Sequence, residues 1–274
     1  MMKKEDLERI TLLESELDLR KSREIKLNYL NFSNLDKVSL ILKGDEHYGS
    51  KYFDKEEHGS WMKWIEENNC YVIGMGDNLE TATRDSVGAG IYEQDIFLHQ
   101  QLEEFVEMNR IIAEQGKLLG LHRGNHEERV YKHSGLDITR IMCNMLNVKN
   151  FGVGVVHYIK VGKQNYSIYT THGHSGARLP HTKIKACIDL SNMVDVDIYA
   201  MGHLHQLSHH VRQFYRPDKR TRQLTETSKH FLLTGSFLTH WGSYAQEIGY
   251  EMMRKGAARI KLHGEQPLIK ISLG

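Results

Sequence analysis

Five short segments of this chain carry side chains that bind cations and move protons. They are Asp45-Glu46-His47, Gly76-Asp77-Asn78, Gly124-Asn125-His126-Glu127, His172-Gly173-His174 and Gly202-His203-Leu204-His205. Taken singly, each has an ordinary reading. A strand-ending acid and histidine are usually solvated, Gly-Asp-Asn is a turn signal, and paired histidines are common on surfaces. Among their side chains, two carboxylates, an amide oxygen and four imidazoles make a candidate ligand set with no thiolate. Such a mixed nitrogen and oxygen set suits Mn, Fe, Zn, Ni or Co better than Ca or a structural cysteine-zinc site. It exceeds what one tetrahedral ion needs and suits two ions roughly 3.5–4 Å apart, as in two-metal hydrolases. A bridging carboxylate would hold such a pair. A water between two cations becomes hydroxide near neutral pH and can attack phosphorus in line.

These segments meet only if the fold brings them together. Each closes a run that reads as a buried strand: KVSLILKGDEH, with its apolar part ending at Gly44, CYVIGMGDN, KLLGLHRGNHE, a hairpin in VVHYIKVGKQNYSIYTTHG, and DVDIYAMGHLH. Helical patterns separate the early strands, in EEHGSWMKWIEENN, DIFLHQQLEEFVEMNRIIAEQG and GLDITRIMCNML, and another helix is expected over roughly 181–193. Strand–helix alternation points to parallel strands in βαβ units, whose carboxyl-end loops gather at one edge of the sheet. The later runs HFLLTGSF, AARIKL and LIKISL read as a mainly antiparallel tail. An α/β domain of two packed sheets flanked by helices is therefore expected over residues 36–274. Residues 1–30 read as a helix, with Leu7, Ile10, Leu13, Leu17, Ile25 and Leu27 near helical spacing. This makes 1–35 an N-terminal helical extension that either packs on the domain or pairs two copies as a homodimer.

Composition narrows the function classes. The formal net charge is +1 over 274 residues, which argues against a general nucleic-acid-coating protein but leaves room for a local basic groove. Three cysteines, odd in number and well separated, suggest free thiols in a reducing compartment. The start MMKKEDLERI lacks the apolar core of a signal peptide, and no run reaches the roughly 18 apolar residues of a membrane span. A cytoplasmic protein without membrane contact is expected.

In order and context, Asp45-x-His47, Gly76-Asp77, Gly124-Asn125-His126-Glu127, His172-Gly173-His174 and Gly202-His203-x-His205 resemble the calcineurin-like metallophosphoesterase family. The resemblance spans roughly residues 38–240. It implies a four-layer α/β/β/α sandwich with two mixed sheets, and a phosphoester hydrolase with two divalent metal ions, Mn first, with Fe, Zn, Ni or Co as alternatives. Carried over by motif, Asp45, His47 and His205 would bind one metal, Asp77 would bridge, and Asn125, His172 and His203 would bind the other. His126 would be the general acid or transition-state stabiliser, with Glu127 or another carboxylate orienting it. His174 would stand behind the ligands.

The substrate is less constrained. Loops 48–59, 78–94 and 175–185 should rim the site and contain Lys51, Arg84, Arg178, Lys183 and Lys185, which either hold phosphates of the substrate or are solvated. The basic stretch 216–229 reads as a strand-edge loop or a phosphate-contacting arm. Tyr48, Tyr92, Trp241 and Tyr244 either stack a base or pack. A phosphodiesterase on nucleotides or short nucleic acid is the leading expectation. A phosphomonoesterase and a non-catalytic scaffold on the same fold are the alternatives.

Overall fold

Strand alternation builds the molecule in layers. The computed structural model describes residues 24–83, 86 and 90–274. One sheet has six strands in the order β12-β11-β2-β3-β4-β5, namely Ile269–Leu273, Ala258–His263, Lys37–Lys43, Tyr71–Gly74, Leu118–His122 and Lys149–Gly152. The other has the order β1-β6-β7-β8-β10-β9, namely Lys26–Phe32, Gly154–Val161, Gln164–Thr171, Ile198–Met201, Leu224–Thr234 and Leu207–Pro217. Both are mixed: β2 to β5 run parallel, whereas β11 is antiparallel to β2. In the second sheet β6 and β7 form the expected hairpin, and β8 pairs in parallel with β7 and β10.

Successive residues of a strand face opposite sides. In β2, Leu40 and Leu42 enter the core between the sheets, with Ile73, Val155, Ile168, Ile198 and Leu232. Ile41 points the other way, into a core with helices α1 (Lys55–Glu67), α2 (Leu98–Glu114), α3 (Asn125–Ser134) and α4 (Ile138–Leu146). The outer face of the second sheet is covered by α5 (Pro180–Asp189), whose Cys187 packs on Val156, Tyr199, Met201 and Phe231. The single turn α6 (Tyr244–Glu247) lies in the loop before β11. The layers are thus α/β/β/α, with two mixed sheets. Among the described residues no helix is long and apolar enough to cross a membrane.

Two sequence expectations are corrected. The helix expected over 1–30 does not extend through 26–30, because residues 26–32 form β1, parallel to β6. Asn28 and Phe32 point inward, whereas Leu27 and Tyr29, assigned to the helix and its flank, face solvent. A boundary at 36 would therefore cut this strand from its sheet. Residues 1–23, and with them the pairing role of the extension, lie outside the described residues. The basic stretch 216–229 is more strand than loop: it takes in the end of β9, the turn 218–223 and the start of β10, and its Arg216 and Lys229 both pair with Asp195.

A polar chain crosses the inter-sheet region behind the strand ends. Lys149 Nζ donates to Asn28 Oδ1 at 2.6 Å, and Asn28 Nδ2 lies 3.0 Å from His157 Nδ1. His157 Nε2 lies 2.8 Å from Thr170 Oγ1, which in turn lies 2.7 Å from His122 Nε2. His122 Nδ1 meets Gly152 O at 3.1 Å. One tautomer pattern satisfies every member: each group donates to the next, ending at the carbonyl, with both imidazoles neutral. Burial holds both histidines down, to a pKa of about 3. Folded values below the ordinary 6.5 mean that the unfolded chain binds more protons between pH 6.5 and 3. Stability from this chain is therefore complete above pH 6.5 and lost as pH falls. Urea unfolding at pH 7 and pH 5 should show it: His157→Gln should remove about 2 kcal/mol of the wild-type loss over that interval. An identical pH slope in the variant would show that His157 titrates normally.

Candidate metal centre

The five segments converge where the two sheets meet at their strand ends. The loops after β2 and β3 are laced together: Asp45 N donates to Gly76 O at 2.9 Å, His47 N to Asp77 O at 3.0 Å, and Tyr48 N to Asn78 O at 2.9 Å. This lacing sustains unusual backbone. Asp45, His47, Asp77, His203 and His205 all have φ between 48° and 67°. Left-handed conformation costs a residue with a β-carbon about 1 kcal/mol or more, and such outliers gather at functional sites. Asp45 and His47 face the site while Glu46, between them, goes into the helix layer. There Glu46 Oε2 accepts from Lys43 Nζ at 2.9 Å and lies 2.6 Å from His58 Nε2. Burial opposes that carboxylate, but the Lys43 charge and the His58 contact hold its pKa at about 2.

Two donor groups emerge, sharing Asp77. In the first, His205 Nε2 lies 3.3 Å from Asp45 Oδ1 and 3.2 Å from His47 Nε2, and His47 Nε2 is 3.9 Å from Asp77 Oδ2. In the second, His172 Nε2 lies 3.3 Å from Asp77 Oδ2 and 3.0 Å from Asn125 Oδ1, which is 2.7 Å from His203 Nδ1. The ligand atoms of Asp45, His47 and His205 all lie within 4.8 Å of one another, as do those of Asp77, His172 and His203. Those of His47, Asp77 and His126 do so as well, so His126 stands at the junction.

The chemistry of this donor set fits cations. The outward nitrogens are already engaged: His47 Nδ1 with Glu80 Oε2 at 3.1 Å, His172 Nδ1 with Met75 O at 2.9 Å, and His203 Nε2 with Ser175 O at 3.2 Å. In a neutral ring this leaves the inward nitrogen as a lone pair, aimed at carboxylate and amide oxygens. Only positive charge reconciles so many converging lone pairs. Burial alone would lower His47 and His172. The hydrogen bond and charge of Glu80 raise His47 to about 9, and the charge of Asp77 raises His172 to about 10. Asp77 is itself held well below the carboxylate range by His172, His126 and His47 despite its burial.

Gly124 is required by space rather than by a turn conformation. Its φ of −92° is ordinary, and it is the residue capping α3. A β-carbon at Gly124 would lie 2.1 Å from Asp77 Oδ1, so no side chain fits. Gly76 does need left-handed backbone, at φ +92°, and sits against His172 and Gly124. Asn125 and His126 then open α3, where His126 N donates to Asp77 Oδ1 at 2.9 Å.

The proposed orienting role of Glu127 is corrected. Glu127 is 1% exposed in the sense that its residue is fully enclosed, as the third residue of α3, and it reaches back to the capping backbone. Its Oε2 accepts from Gly124 N at 2.9 Å and Asp77 N at 3.1 Å, and its Oε1 from Asn78 N at 2.8 Å and Leu79 N at 3.2 Å. Burial and the Asp77 charge push its pKa up, against these hydrogen bonds. His126 is instead positioned by Glu80: Nδ1 lies 2.5 Å from the Glu80 carbonyl and 3.7 Å from its Oε1. Burial pushes His126 down to about 4, against the charges of Asp77 and Glu80. Sequence reasoning missed Glu80, which has no motif of its own. Glu127 was read as the end of a strand, whereas it is the third residue of helix α3, where its side chain caps the helix start.

A cleft of about 390 Å³ opens from the centre. His47, His126, His203 and His205 form one part of its wall, with Arg129, Arg178, Lys183, Leu238, His240 and Tyr250 elsewhere. His174 stays exposed and stacks on His203 with centroids 5.8 Å apart, outside both donor groups. Arg84 lies outside the described residues. Lys185 is exposed and pairs with Asp189. Tyr48 packs on Phe53 and donates to Glu104, so it does not stack a base, and neither Trp241 nor Tyr92 lines the cleft.

No protein-family model matches the chain, and no curated protein matches it. Solved structures do. A conserved uncharacterised protein from Streptococcus pneumoniae, described as a predicted phosphoesterase, is 14% identical with a TM-score of 0.36 over 87% of this chain and 98% of its own. A single mutant of Vps29 from Entamoeba histolytica is 16% identical with a TM-score of 0.40 over 86% and 98%. A metallophosphoesterase from Sphaerobacter thermophilus is 10% identical with a TM-score of 0.38 over 86% and 88%. At this similarity the functional reading rests on the site's own geometry.

The brace is testable apart from activity. Glu127→Gln turns one acceptor oxygen into a donor facing backbone N–H groups. It should cost about 2–4 kcal/mol in urea unfolding. A variant as stable as wild type would mean that other groups hold these loops.

Proposed function

We propose that this protein is a phosphoester hydrolase of the calcineurin-like metallophosphoesterase type, dependent on two divalent metal ions and acting as a phosphodiesterase on nucleotides or short nucleic acid. The observation that carries the reading is the pair of donor groups sharing Asp77. Asp45, His47, Asp77 and His205 would hold one ion, and Asp77, Asn125, His172 and His203 the other. Mn is the proposed metal; Fe, Zn, Ni and Co suit the same donors. When bound, two such ions supply charge that draws the phosphoryl oxygens and lowers the pKa of water.

The chain's own residues do the rest. Asp77 holds both donor groups in register. Glu80 keeps His47 turned inward through Nδ1, as carboxylates do behind metal-bound histidines. It also fixes His126 through its carbonyl, so that with Nδ1–H donating there, Nε2 is the atom left to exchange a proton. At the wall of the cleft, His126 in its imidazolium form, the minor form at neutral pH with a pKa of about 4, would give its Nε2 proton to the leaving oxygen and return to the neutral Nδ1–H ring. The cleft has apolar lining at Leu204, Leu238 and Met253, which supports room for an organic group beside the phosphorus and hence a diester. The three cysteines are buried and unbridged, which supports a reducing, cytoplasmic setting.

Hydrolysis of bis(p-nitrophenyl) phosphate and p-nitrophenyl phosphate, in chelator-stripped protein with Mn restored, tests this. Metal-dependent diester turnover is expected, and His126→Ala should lower it by about 10²–10⁴-fold with metal content unchanged. Loss of metal in that variant would make His126 a ligand. Preference for the monoester would turn the reading to a phosphatase, and no turnover of either, with metal bound, to a scaffold. Asp77→Asn should weaken both metals together in a metal titration. Retention of two tightly bound ions would remove its bridging role.

A further inference from the structure

Lys183 is an unusual lysine. It lies in the first turns of α5, is only 8% exposed, and lines the same cleft as His47, His126, His203 and His205. Buried lysines are almost always paired, because an ammonium stripped of water without a partner is costly. Lys43 follows that rule, with Glu46 against it. Among the described residues, Lys183 Nζ has neither a hydrogen-bond acceptor nor an ion pair, and it is not one of the side-chain atoms closed off from solvent, so the stem is buried while the ammonium at its end stays accessible. The acid that acts on it most is Glu251, which is exposed and beyond ion-pair distance. Burial lowers the Lys183 pKa, with the Glu251 charge working against that. The cleft wall carries Glu80, Glu93 and Glu251 as well as cations, and Lys183 shares its part of it with Arg178. Arg178 lines the cleft beside it in sequence, held over the Tyr250 ring at 5.5 Å. The first turn of α5 contains no acid, and its capping residue Leu179 offers no side-chain acceptor, so the positive end of the helix is not neutralised locally.

We propose that Lys183 and Arg178 form an anion subsite that holds a second, non-reacting phosphate of the substrate. This rests on the phosphoester-hydrolase reading above and adds the substrate class, phosphodiesters that carry a further phosphate. A phosphate there gives the ammonium at the end of the buried Lys183 stem a charged acceptor, and the planar guanidinium adds directed donors. The second phosphate has two sources: one nucleotide away, as in a 5′-phosphorylated oligonucleotide, or adjacent, as in a diphosphate linkage.

The Mn-loaded full chain is assayed with dithymidine phosphate, its 5′-phosphorylated form and diadenosine 5′,5′-diphosphate. At least one of the two-phosphate substrates should have the higher kcat/KM. In Lys183→Met, which keeps the buried stem, that advantage should fall by about 10–100-fold, mainly through KM. Arg178→Gln should reduce it in the same direction. Gain with the phosphorylated dinucleotide assigns the spaced phosphate, and gain with the diphosphate the adjacent one. An advantage that survives Lys183→Met, or one absent from wild type, overturns the subsite. Equilibrium binding of thymidine 3′,5′-bisphosphate and of methylenediphosphonate reads the subsite without turnover, with near-ultraviolet circular dichroism checking the fold. If wild type hydrolyses nothing but binds either probe about 10-fold more tightly than Lys183→Met, the hydrolase reading fails and the subsite stands. Equal binding of both probes by the two proteins overturns the subsite whatever the activity.

Discussion

The centre depends on one buried carboxylate that touches none of the proposed metals' inner nitrogens. Glu127 gathers backbone N–H groups from two loops, at Asp77, Asn78, Leu79 and Gly124. Those N–H groups would otherwise be buried without acceptors, an expensive state for a backbone. Satisfying them with one rigid side chain ties the end of β3 to the start of α3. That tie sets Asp77 against Gly124 so closely that a β-carbon is excluded. Asn125 and His126, which follow Gly124, take their places from this contact.

Around this tie the site spends strain. Five of the proposed ligands sit in left-handed backbone. Alternation by itself would put Asp45 and His47 on one face and Glu46 on the other, but it would not set the angle and depth at which each side chain enters the site. The left-handed turns re-aim them, and the lacing between the loops after β2 and β3 holds the turns in place. Behind the site, the Lys43–Glu46–His58 group and the His122–Thr170–His157 chain keep polar groups paired in regions that the sheets and helices close to water. The centre is thus held from both sheets, with ligands after β2, β3 and β4 from one and after β7 and β8 from the other.

Much of this was legible because the strands are short, apolar and each followed by its chemistry. The runs before Asp45, Asp77, Asn125, His172 and His203 all became β-strands, and a mixed nitrogen and oxygen donor set was readable from residue type alone. Residues 26–32 were misread because Leu27 fits a helical stripe by spacing, while what decides the conformation is parallel pairing with β6 and the Asn28–His157 contact, more than a hundred residues away. The ribbon at 207–234 was misread because its outer half has polar residues on both faces, which leaves no hydrophobic alternation to detect. Glu80 carries no local signal, and Lys183 was legible only as one of several basic rim residues; the importance of each lies in what is or is not beside it.

The sequence by itself determined the alternation of elements, the order of the layers and the kinds of atom that meet, because periodicity and side-chain chemistry are local properties. The tertiary structure alone decided which atoms face one another. It made Glu127 a brace, assigned the support of His126 to Glu80, put Asp77 between two donor groups and left Lys183 buried without a partner in the wall of the cleft. These are long-range facts. They depend on where two sheets place their loops, and no spacing along the chain encodes the distance between side chains that only packing brings together.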